Sequence, residues 1–453
     1  MGTLMVSISG VRGIVGNGLD PYTLVSYTSA YADFIKNGKV VIGRDARISG
    51  EMVDQIVTGT LLAKGIAVID IGICPTPTVQ FNVKELNADG GIAISASHNP
   101  NEWNALKLLN STGQFFSPDE FKMLISNLDD SSRDFKSWDQ LGQKTEYSEG
   151  LQNHINSIFN LKLIDKNFIA NKKFKVVADC VNGAGAYVLP QFLRELGCEV
   201  IELNCDKTGI FPRNPEPIPE NLSETMKAVI TNKADLGIVV DPDVDRLVLI
   251  TDTGEPFLEE NTITQAVKFV LSKKAGNVVI NLSTTRAVED IANEYNSKVY
   301  RSPVGEANVV KKMKEVNAVI GGEGSGGIIY PELHYGRDAL AGIALTLQHL
   351  AESGLKLSKM KDSLPSYSII KKKIVLDKIE PDTVLDNLKS KFRDENINSE
   401  DGIRIDFVNH HWVHFRKSNT EPVIRVIVEA ADEKTASELA EMYLKLIKQD
   451  LNV

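Results

Sequence analysis

Cysteine is scarce in this chain. There are four in 453 residues, Cys74, Cys180, Cys198 and Cys205, and no two form a Cys-x-x-Cys pair. A chain of this length needs no disulfide staples, so the four read as small apolar residues in or near cores, in a reducing compartment. Long apolar runs are missing too: none approaches the ~20 residues that span a bilayer. Met1-Gly-Thr-Leu-Met-Val-Ser7 lacks the charged and apolar regions of a secretory signal, and Val6 stands where a myristoylation signal wants Ser or Thr. We therefore expect a cytoplasmic protein with no membrane partner. Positive charge is in deficit, 50 basic against 60 acidic residues, for a net charge of −10. That argues against non-specific nucleic-acid binding. The same field repels a phosphorylated small molecule, so any anion site must be built locally from clustered Arg, Lys and backbone N–H groups. Low-complexity sequence is absent as well.

What is present is ordinary globular composition, 42% hydrophobic and 24% charged, in a chain long enough for three or four domains of ~100–150 residues. One plan recurs. Lys39–Gly43 reads as a buried strand, Ser49 as the cap of a helix with Met52, Val53, Ile56, Val57, Thr60 and Leu61 at helical spacing, Gly65 as its end, and Ile66–Ile71 as the next strand. The order returns as Phe174–Asp179, a helix over Tyr187–Leu196 and Glu199–Leu203. It returns again as Asn277–Leu282, a helix over Arg286–Tyr295 and Lys298–Tyr300. Each is a strand–helix–strand unit of a mostly parallel, helix-covered sheet. The C-terminal stretch differs: Ser368–Val375, Ile403–Phe407, Trp412–Phe415 and Val423–Val428 alternate like antiparallel strands, followed by a periodic helix over Lys434–Gln449. The expected fold is three similar mixed α/β domains, 1–150, 151–252 and 253–366, plus an α+β domain with an antiparallel sheet over 367–453, arranged around a central cleft. Asp129–Tyr147 and Leu355–Pro365 read as boundary regions.

Four polar motifs interrupt this plan. In Gly91-Ile-Ala-Ile-Ser-Ala-Ser-His-Asn-Pro100 an apolar strand ends in two hydroxyls and a rigid turn. Ser95 and Ser97 lie two apart, on one side of an extended chain. A Ser–His hydrolase does not fit, because Ser97 and His98 point different ways on extended chain and no G-x-S-x-G elbow surrounds them. Asp241-Pro-Asp-Val-Asp-Arg246 sets three carboxylates at alternate positions between apolar strands; they repel unless a cation sits among them, and hard oxygen ligands select Mg²⁺ or Ca²⁺. It is not an EF-hand, since Arg246 replaces the sixth-position Gly, Asp252 the twelfth-position Glu, and the flanks are strands. Gly321-Gly-Glu-Gly-Ser-Gly-Gly327 lacks the Gly-Lys-Ser/Thr ending of a P-loop and carries Glu323 and Ser325, suited to sugar hydroxyls. Arg416-Lys-Ser-Asn-Thr-Glu-Pro-Val-Ile-Arg425 gathers the cations and hydroxyls of a phosphate cradle. Arg12, Arg44 and Arg47 stand at strand ends, where open α/β sheets bind ligands. Each motif alone has a bland reading as a solvated or hydrogen-bonded loop, and Lys107 alone reads as a surface lysine; together they describe phosphoryl transfer on a polyol.

These motifs, in this order over essentially the whole chain, resemble the α-D-phosphohexomutase family. The resemblance implies interconversion of hexose 6-phosphate and hexose 1-phosphate through a bisphosphorylated intermediate. It implies that Ser97 is the phosphoserine, and that Asp241, Asp243 and Asp245 hold one Mg²⁺ per chain with Ser97 completing the shell. Glu323 and Ser325 would bind the sugar, and Arg416, Ser418, Asn419, Thr420 and Arg425 the unreacting phosphate. Lys107 falls where the family has a proposed general base, which needs a lowered pKa. Arg12, Arg44, Arg47, His98 and Arg246 would support the phosphoserine, its metal and the substrate. Hexose 1,6-bisphosphate would act as activator, and the chain would work as a monomer or homo-oligomer. The expected substrate is glucosamine phosphate, with phosphoglucomutase or phosphomannomutase activity as the alternative and a non-catalytic phosphosugar binder as the remote one. The chain departs from common patterns in Asn419 for Gly, in Ser95 for Thr, in Gly326-Gly327 for Gly-His, and in Glu306-Ala-Asn after Val304-Gly305.

Overall fold

The computed structural model describes residues 3–128, 134–376, 380–417 and 423–450. They form two compact units, one of Met1–Thr262 with Gly326–Lys361, the other of Ile263–Ser325 with Asp362–Val453.

The first unit holds two sheets. The larger runs Met5–Ser7, Gly10–Val15, Trp103–Leu109, Gly90–Ile94, Lys39–Arg44, Ala67–Ile73, Lys144–Glu146, with the short Gly18–Leu19 beside Gly10–Val15. Lys39–Arg44 is parallel to both Ala67–Ile73 and Gly90–Ile94, whereas Trp103–Leu109 runs antiparallel to Gly90–Ile94 and Gly10–Val15. Every residue of Gly90–Ile94 is buried, as its apolar, near-continuous run requires of a central strand. Gly90 admits the hydroxyl of Tyr31, which donates to the carbonyls of Gly91 and Leu109 and ties the helix Pro21–Ile35 to the strands that carry the serine motif; a Cβ here would stand 2.2 Å from that hydroxyl. The smaller sheet runs Glu199–Leu203, Lys175–Asp179, Leu236–Val240, Leu247–Ile250, and only the last strand is antiparallel. The helix Ala339–Ser353, capped by the Asp338 carboxylate and nearly all buried, belongs to this unit.

Two expectations change. Ser49 is not a side-chain cap: its backbone is already helical, and its Oγ accepts from Asn104 Nδ2 at 3.0 Å instead. The stretch read as a boundary near Tyr147 contributes Lys144–Glu146, a strand parallel to Ala67–Ile73.

In the second unit, Val299–Ser302, Val278–Asn281 and Ile320–Glu323 are parallel. The C-terminal sheet is antiparallel throughout, ordered Ser368–Val375, Val423–Ala430, Trp412–Lys417, Ile403–Asp406, Asn396–Asn398. The helices Pro381–Lys391 and Glu433–Asp450 cover it over a core that includes Leu388, Phe415, Val426, Tyr443 and Ile447. Buried polar bonds join this sheet to the preceding segment. Arg404 donates to the Leu282 carbonyl, pairs with Asp406 and lies 4.2 Å from the Trp412 ring, while Glu429 accepts from Trp412 Nε1 at 2.7 Å and from the Arg286 backbone at 3.0 Å.

Candidate active site

In the first unit, the serine and aspartate motifs each connect two antiparallel neighbours of a sheet, so each loop is pinned at both ends. Ser97 lies in the turn that follows Gly90–Ile94, in left-handed backbone, φ +49°, a region few non-glycine residues occupy. The turn is held from below. Ser95 Oγ accepts from the Ser97 N–H at 2.9 Å and donates to Asp45 at 2.6 Å. Asp45 takes Arg47 Nε at 3.0 Å, and the Arg47 guanidinium donates to the carbonyls of Ser97 (2.6 Å), Asn99 (2.7 Å), Pro100 (2.5 Å) and Trp103 (3.1 Å). Arg47, expected on the substrate, is thus buried as a clamp on the loop backbone. Arg12 holds the Asn99 side chain at 2.8 Å. Arg44 is half-buried at the end of its strand.

The Ser97 hydroxyl donates to Asp241 Oδ2 at 2.7 Å. His98 Nδ1 lies 3.3 Å from the same Oγ. This corrects the expectation that the two side chains diverge, which assumed extended backbone; the left-handed turn at Ser97 removes that assumption. The Arg246 charge, burial and the Arg12 charge press the His98 imidazole well below its ordinary pKa, so it is neutral. The Ser97 proton is directed at Asp241, and His98 Nδ1 stands within hydrogen-bond reach of the same oxygen.

Asp241, Asp243 and Asp245 are all buried, and their oxygens lie within 4.8 Å of one another. The connecting Val244 is a β-branched residue at φ +61°, a strained backbone that the loop over-determines. Asp241 Oδ1 accepts the N–H groups of Asp245 and Arg246, both at 3.1 Å. Asp243 Oδ2 takes Lys107 Nζ at 2.5 Å and the Thr76 hydroxyl, and Asp245 Oδ2 takes Arg337 at 2.7 Å. Asp243 Oδ1 and Asp245 Oδ1 are buried without a hydrogen-bond partner. Burial and the two neighbouring carboxylates push the Asp241 carboxyl well above the usual range. Three converging hard oxygens, two of them unpartnered, fit a divalent cation such as Mg²⁺.

Lys107 departs from expectation. Burial pulls its pKa down, but Asp243 and Asp245 more than offset this and hold it above the ordinary lysine value. Despite burial, which would raise it, Asp243 is held well below the carboxylate range by Lys107 and Thr76.

The remaining residues lie in the second unit. Glu323 ends its strand, its Oε1 accepting from Asn281 Nδ2 and the Gly305 N–H, each at 2.9 Å; Ser325 is half-buried two residues on. Arg416 and Arg425 face each other across the C-terminal ladder. Arg416 Nε is 3.6 Å from Asp401, and burial lowers its pKa. Ser418, Asn419 and Thr420 lie outside the described residues.

Sequence reasoning missed Asp45, Thr76 and Arg337. Thr76 and Arg337 are far in sequence from their partners, 167 residues for Thr76 to Asp243 and 92 for Arg337 to Asp245, and Asp45 lies 50 residues from Ser95. The one signal available was Asp45 itself, inside the Gly43–Arg47 strand end already singled out for its arginines.

Family models for phosphoglucomutase/phosphomannomutase match the chain in order: alpha/beta/alpha domain I over residues 4–133, domain II over 146–254, domain III over 261–367 and the C-terminal domain over 374–446. A probable phosphoglucosamine mutase of Methanopyrus kandleri is 33% identical over 446 residues, covering 97% of each chain. A phosphoglucomutase/phosphomannomutase of Thermococcus kodakarensis is 36% identical over 453 residues, covering 98% of each. Among solved structures, a phosphoglucomutase/phosphomannomutase family protein from Burkholderia thailandensis superposes with a TM-score of 0.85 at 25% identity, covering 98% of each chain. No helix among the described residues is long and apolar enough to cross a membrane. With all four domain models matched in sequence order, the chain belongs to the phosphoglucomutase/phosphomannomutase family and is a phosphohexomutase.

Proposed function

We propose that the chain converts glucosamine 6-phosphate to glucosamine 1-phosphate by shuttling a phosphoryl group through Ser97. The observation that carries the Ser97 role is its hydroxyl, 2.7 Å from Asp241 of the buried carboxylate triad, on a turn whose backbone is held by Ser95 and Arg47. Phosphorylated Ser97 gives its phosphoryl group to the free hydroxyl of the hexose monophosphate. The serine O–P bond breaks as the sugar O–P bond forms. The bisphosphate then reorients, and its other phosphate returns to Ser97. Hexose 1,6-bisphosphate is the species that primes an unphosphorylated chain.

Asp241, Asp243 and Asp245 would hold Mg²⁺, which when bound supplies positive charge against the transferring phosphoryl group. Arg12 and Arg246 add to that field, and the neutral His98 stands within hydrogen-bond reach of Ser97 Oγ. We assign Lys107 to the proton of the incoming hydroxyl; a cation held by the Oδ1 atoms of Asp243 and Asp245 would offset the negative charge that raises the Lys107 pKa. Glu323 and Ser325 would take sugar hydroxyls, and Arg416 and Arg425 with Ser418, Asn419 and Thr420 the unreacting phosphate. The name of the Methanopyrus relative and the Ser95-Ala-Ser97-His98 loop support glucosamine. The name of the Thermococcus relative, at slightly higher identity, supports glucose and mannose phosphates as the second reading.

The test is a coupled mutase assay with Mg²⁺ and a trace of hexose 1,6-bisphosphate, across glucosamine, glucose, mannose and N-acetylglucosamine phosphates, with Ser97→Ala alongside. Highest turnover on glucosamine phosphate, lost by at least ~10³-fold in Ser97→Ala, is expected. Preference for glucose or mannose phosphate would establish the second reading. Turnover untouched by Ser97→Ala would end the phosphoserine assignment.

A further inference from the structure

We propose that Phe211 is a positioning residue for phosphoryl transfer, seating the Ser97 loop against the aspartate loop through the Arg47 guanidinium. The inference rests on the reading of Ser97 as the phosphoryl carrier.

Phe211 belongs to a turn between Leu203 and Asn214 that carries none of the four motifs, and it is 7% exposed. Its ring lies 4.8 Å from the Arg47 carbon that bears the charge. In its own plane Arg47 is committed to Asp45 and to four carbonyls of the segment 97–103, so what is left to contact is a face of the guanidinium, and Phe211 covers one. A desolvated cation against an aromatic face is held by its quadrupole as well as by packing. Because Arg47 spans four carbonyls at once, a tilt of its plane moves the whole serine loop.

The turn is fixed on the serine side by two further contacts. The Phe211 N–H donates to Asn101 Oδ1 at 3.2 Å. Gly209, at φ +67°, lies so close to the Ala46 carbonyl that a Cβ would stand 1.8 Å from its oxygen. On the other side the same turn reaches the aspartate loop. Asn182 accepts the Asp206 N–H at 2.9 Å and donates to the Ile210 carbonyl at 3.1 Å. The residues after it press on Pro242: the Ala184 N–H donates to the Pro242 carbonyl at 2.8 Å, and a Cβ on Gly183 would stand 2.6 Å from the Pro242 α-carbon. Arg213 anchors the far end on Asp179 at 2.9 Å. One turn therefore registers the nucleophile's loop against the loop that carries Asp241, Asp243 and Asp245. Transfer is sensitive to such registration, since a displacement of ~1 Å at reacting atoms costs on the order of 10²-fold in rate.

The experiment compares wild type, Phe211→Leu, Phe211→Tyr and Asn101→Ala, measuring kcat and KM for the hexose monophosphate, the thermal midpoint, and by intact mass the rate at which Ser97 takes phosphate from hexose 1,6-bisphosphate. Phe211→Leu keeps apolar bulk and removes the aromatic face. It is expected to lower kcat and the phosphorylation rate by about tenfold or more while KM stays within about twofold. Its midpoint should move by less than about 3 °C. Phe211→Tyr should restore the rate. Asn101→Ala, an exposed change that leaves the core intact, should lower kcat in the same direction. Unchanged kcat in Phe211→Leu, a loss carried by KM, or failure of Phe211→Tyr to restore would each overturn the assignment. A wild type with no turnover on any hexose phosphate would overturn the mutase reading and this one together, whereas an active wild type with an equally active Phe211→Leu overturns this one alone.

Discussion

The Ser97 hydroxyl and Asp241 Oδ2, 144 residues apart in the chain, share a hydrogen bond of 2.7 Å. Nothing exposed takes part in it: Ser97 is 3% exposed and Asp241 fully buried. Ser97 and the carboxylate triad are thus joined by contacts within the chain itself, and the cost of ordering them belongs to folding.

The triad should reveal its ion by stability as well as by activity. Two carboxylate oxygens have no hydrogen-bond partner and Asp241 is pushed toward protonation, so a cation bound there stabilises the fold. Mg²⁺ at 100 times its Kd is expected to add about 2.7 kcal/mol. Scanning fluorimetry with increasing Mg²⁺ measures the rise, which should vanish in Asp243→Asn; a rise that persists in Asp243→Asn places the ion elsewhere.

Arg47→Lys tests the loop clamp. A lysine keeps the charge but cannot reach four carbonyls and Asp45 from one plane. The buried carbonyls left without a donor should destabilise the protein by on the order of 3 kcal/mol. Urea unfolding gives the stability, and the mutase assay should show kcat falling with it. Wild-type stability in this variant would mean the carbonyls find other donors.

His414 should give the second unit an acid-sensitive window. It is fully buried, with Nδ1 2.9 Å from Ser283 Oγ and Nε2 2.6 Å from the Asp401 carbonyl. That arrangement suits a neutral ring that donates from Nε2 and accepts at Nδ1. Burial, joined by the charges of Arg404 and Arg416 and opposed by Asp401, pushes its pKa down to about 4. In the unfolded chain the ring takes a proton near pH 6.5, in the folded chain only near 4, so between these values the unfolded state binds more protons. Stability is then full above about pH 6.5 and falls toward pH 4 by at most ~1.4 kcal/mol per unit. Urea unfolding at pH 7, 6, 5 and 4 should show this slope reduced in His414→Gln; an identical slope in the variant would assign the loss to other groups.

Glu429→Ala probes the buried ties within the second unit. It leaves Trp412 Nε1 and the Arg286 N–H without an acceptor, at about 1–3 kcal/mol for each donor. The expected result is a lowered thermal midpoint, with the first unit's response to Mg²⁺ intact.

Much of this was legible in the residues. Local period and turn chemistry sufficed for Glu199–Leu203 and Ser368–Val375, whose observed bounds coincide with those read from sequence. The polar motifs stood out because each interrupts an apolar strand. Hidden features depend on partners remote in the chain or on backbone that residue type does not announce. Serine and valine rarely take positive φ, so the turns at Ser97 and Val244 left no trace, and the contact between Ser97 and His98 stayed hidden with them. The raised Lys107 pKa follows from which charges lie nearest, Asp243 and Asp245 rather than arginines, and only folding decides that.

The first unit is discontinuous: its last segment, Gly326–Lys361, is translated after 63 residues that belong to the other unit. That segment carries Arg337, the counter-charge of Asp245, and the buried helix Ala339–Ser353. On the ribosome, Asp245 must wait for residues synthesised some ninety positions later before it gains the Arg337 counter-charge. A nascent chain arrested before residue 326 lacks the Arg337 partner of Asp245 and the helix Ala339–Ser353, so chaperone engagement should persist until this segment emerges.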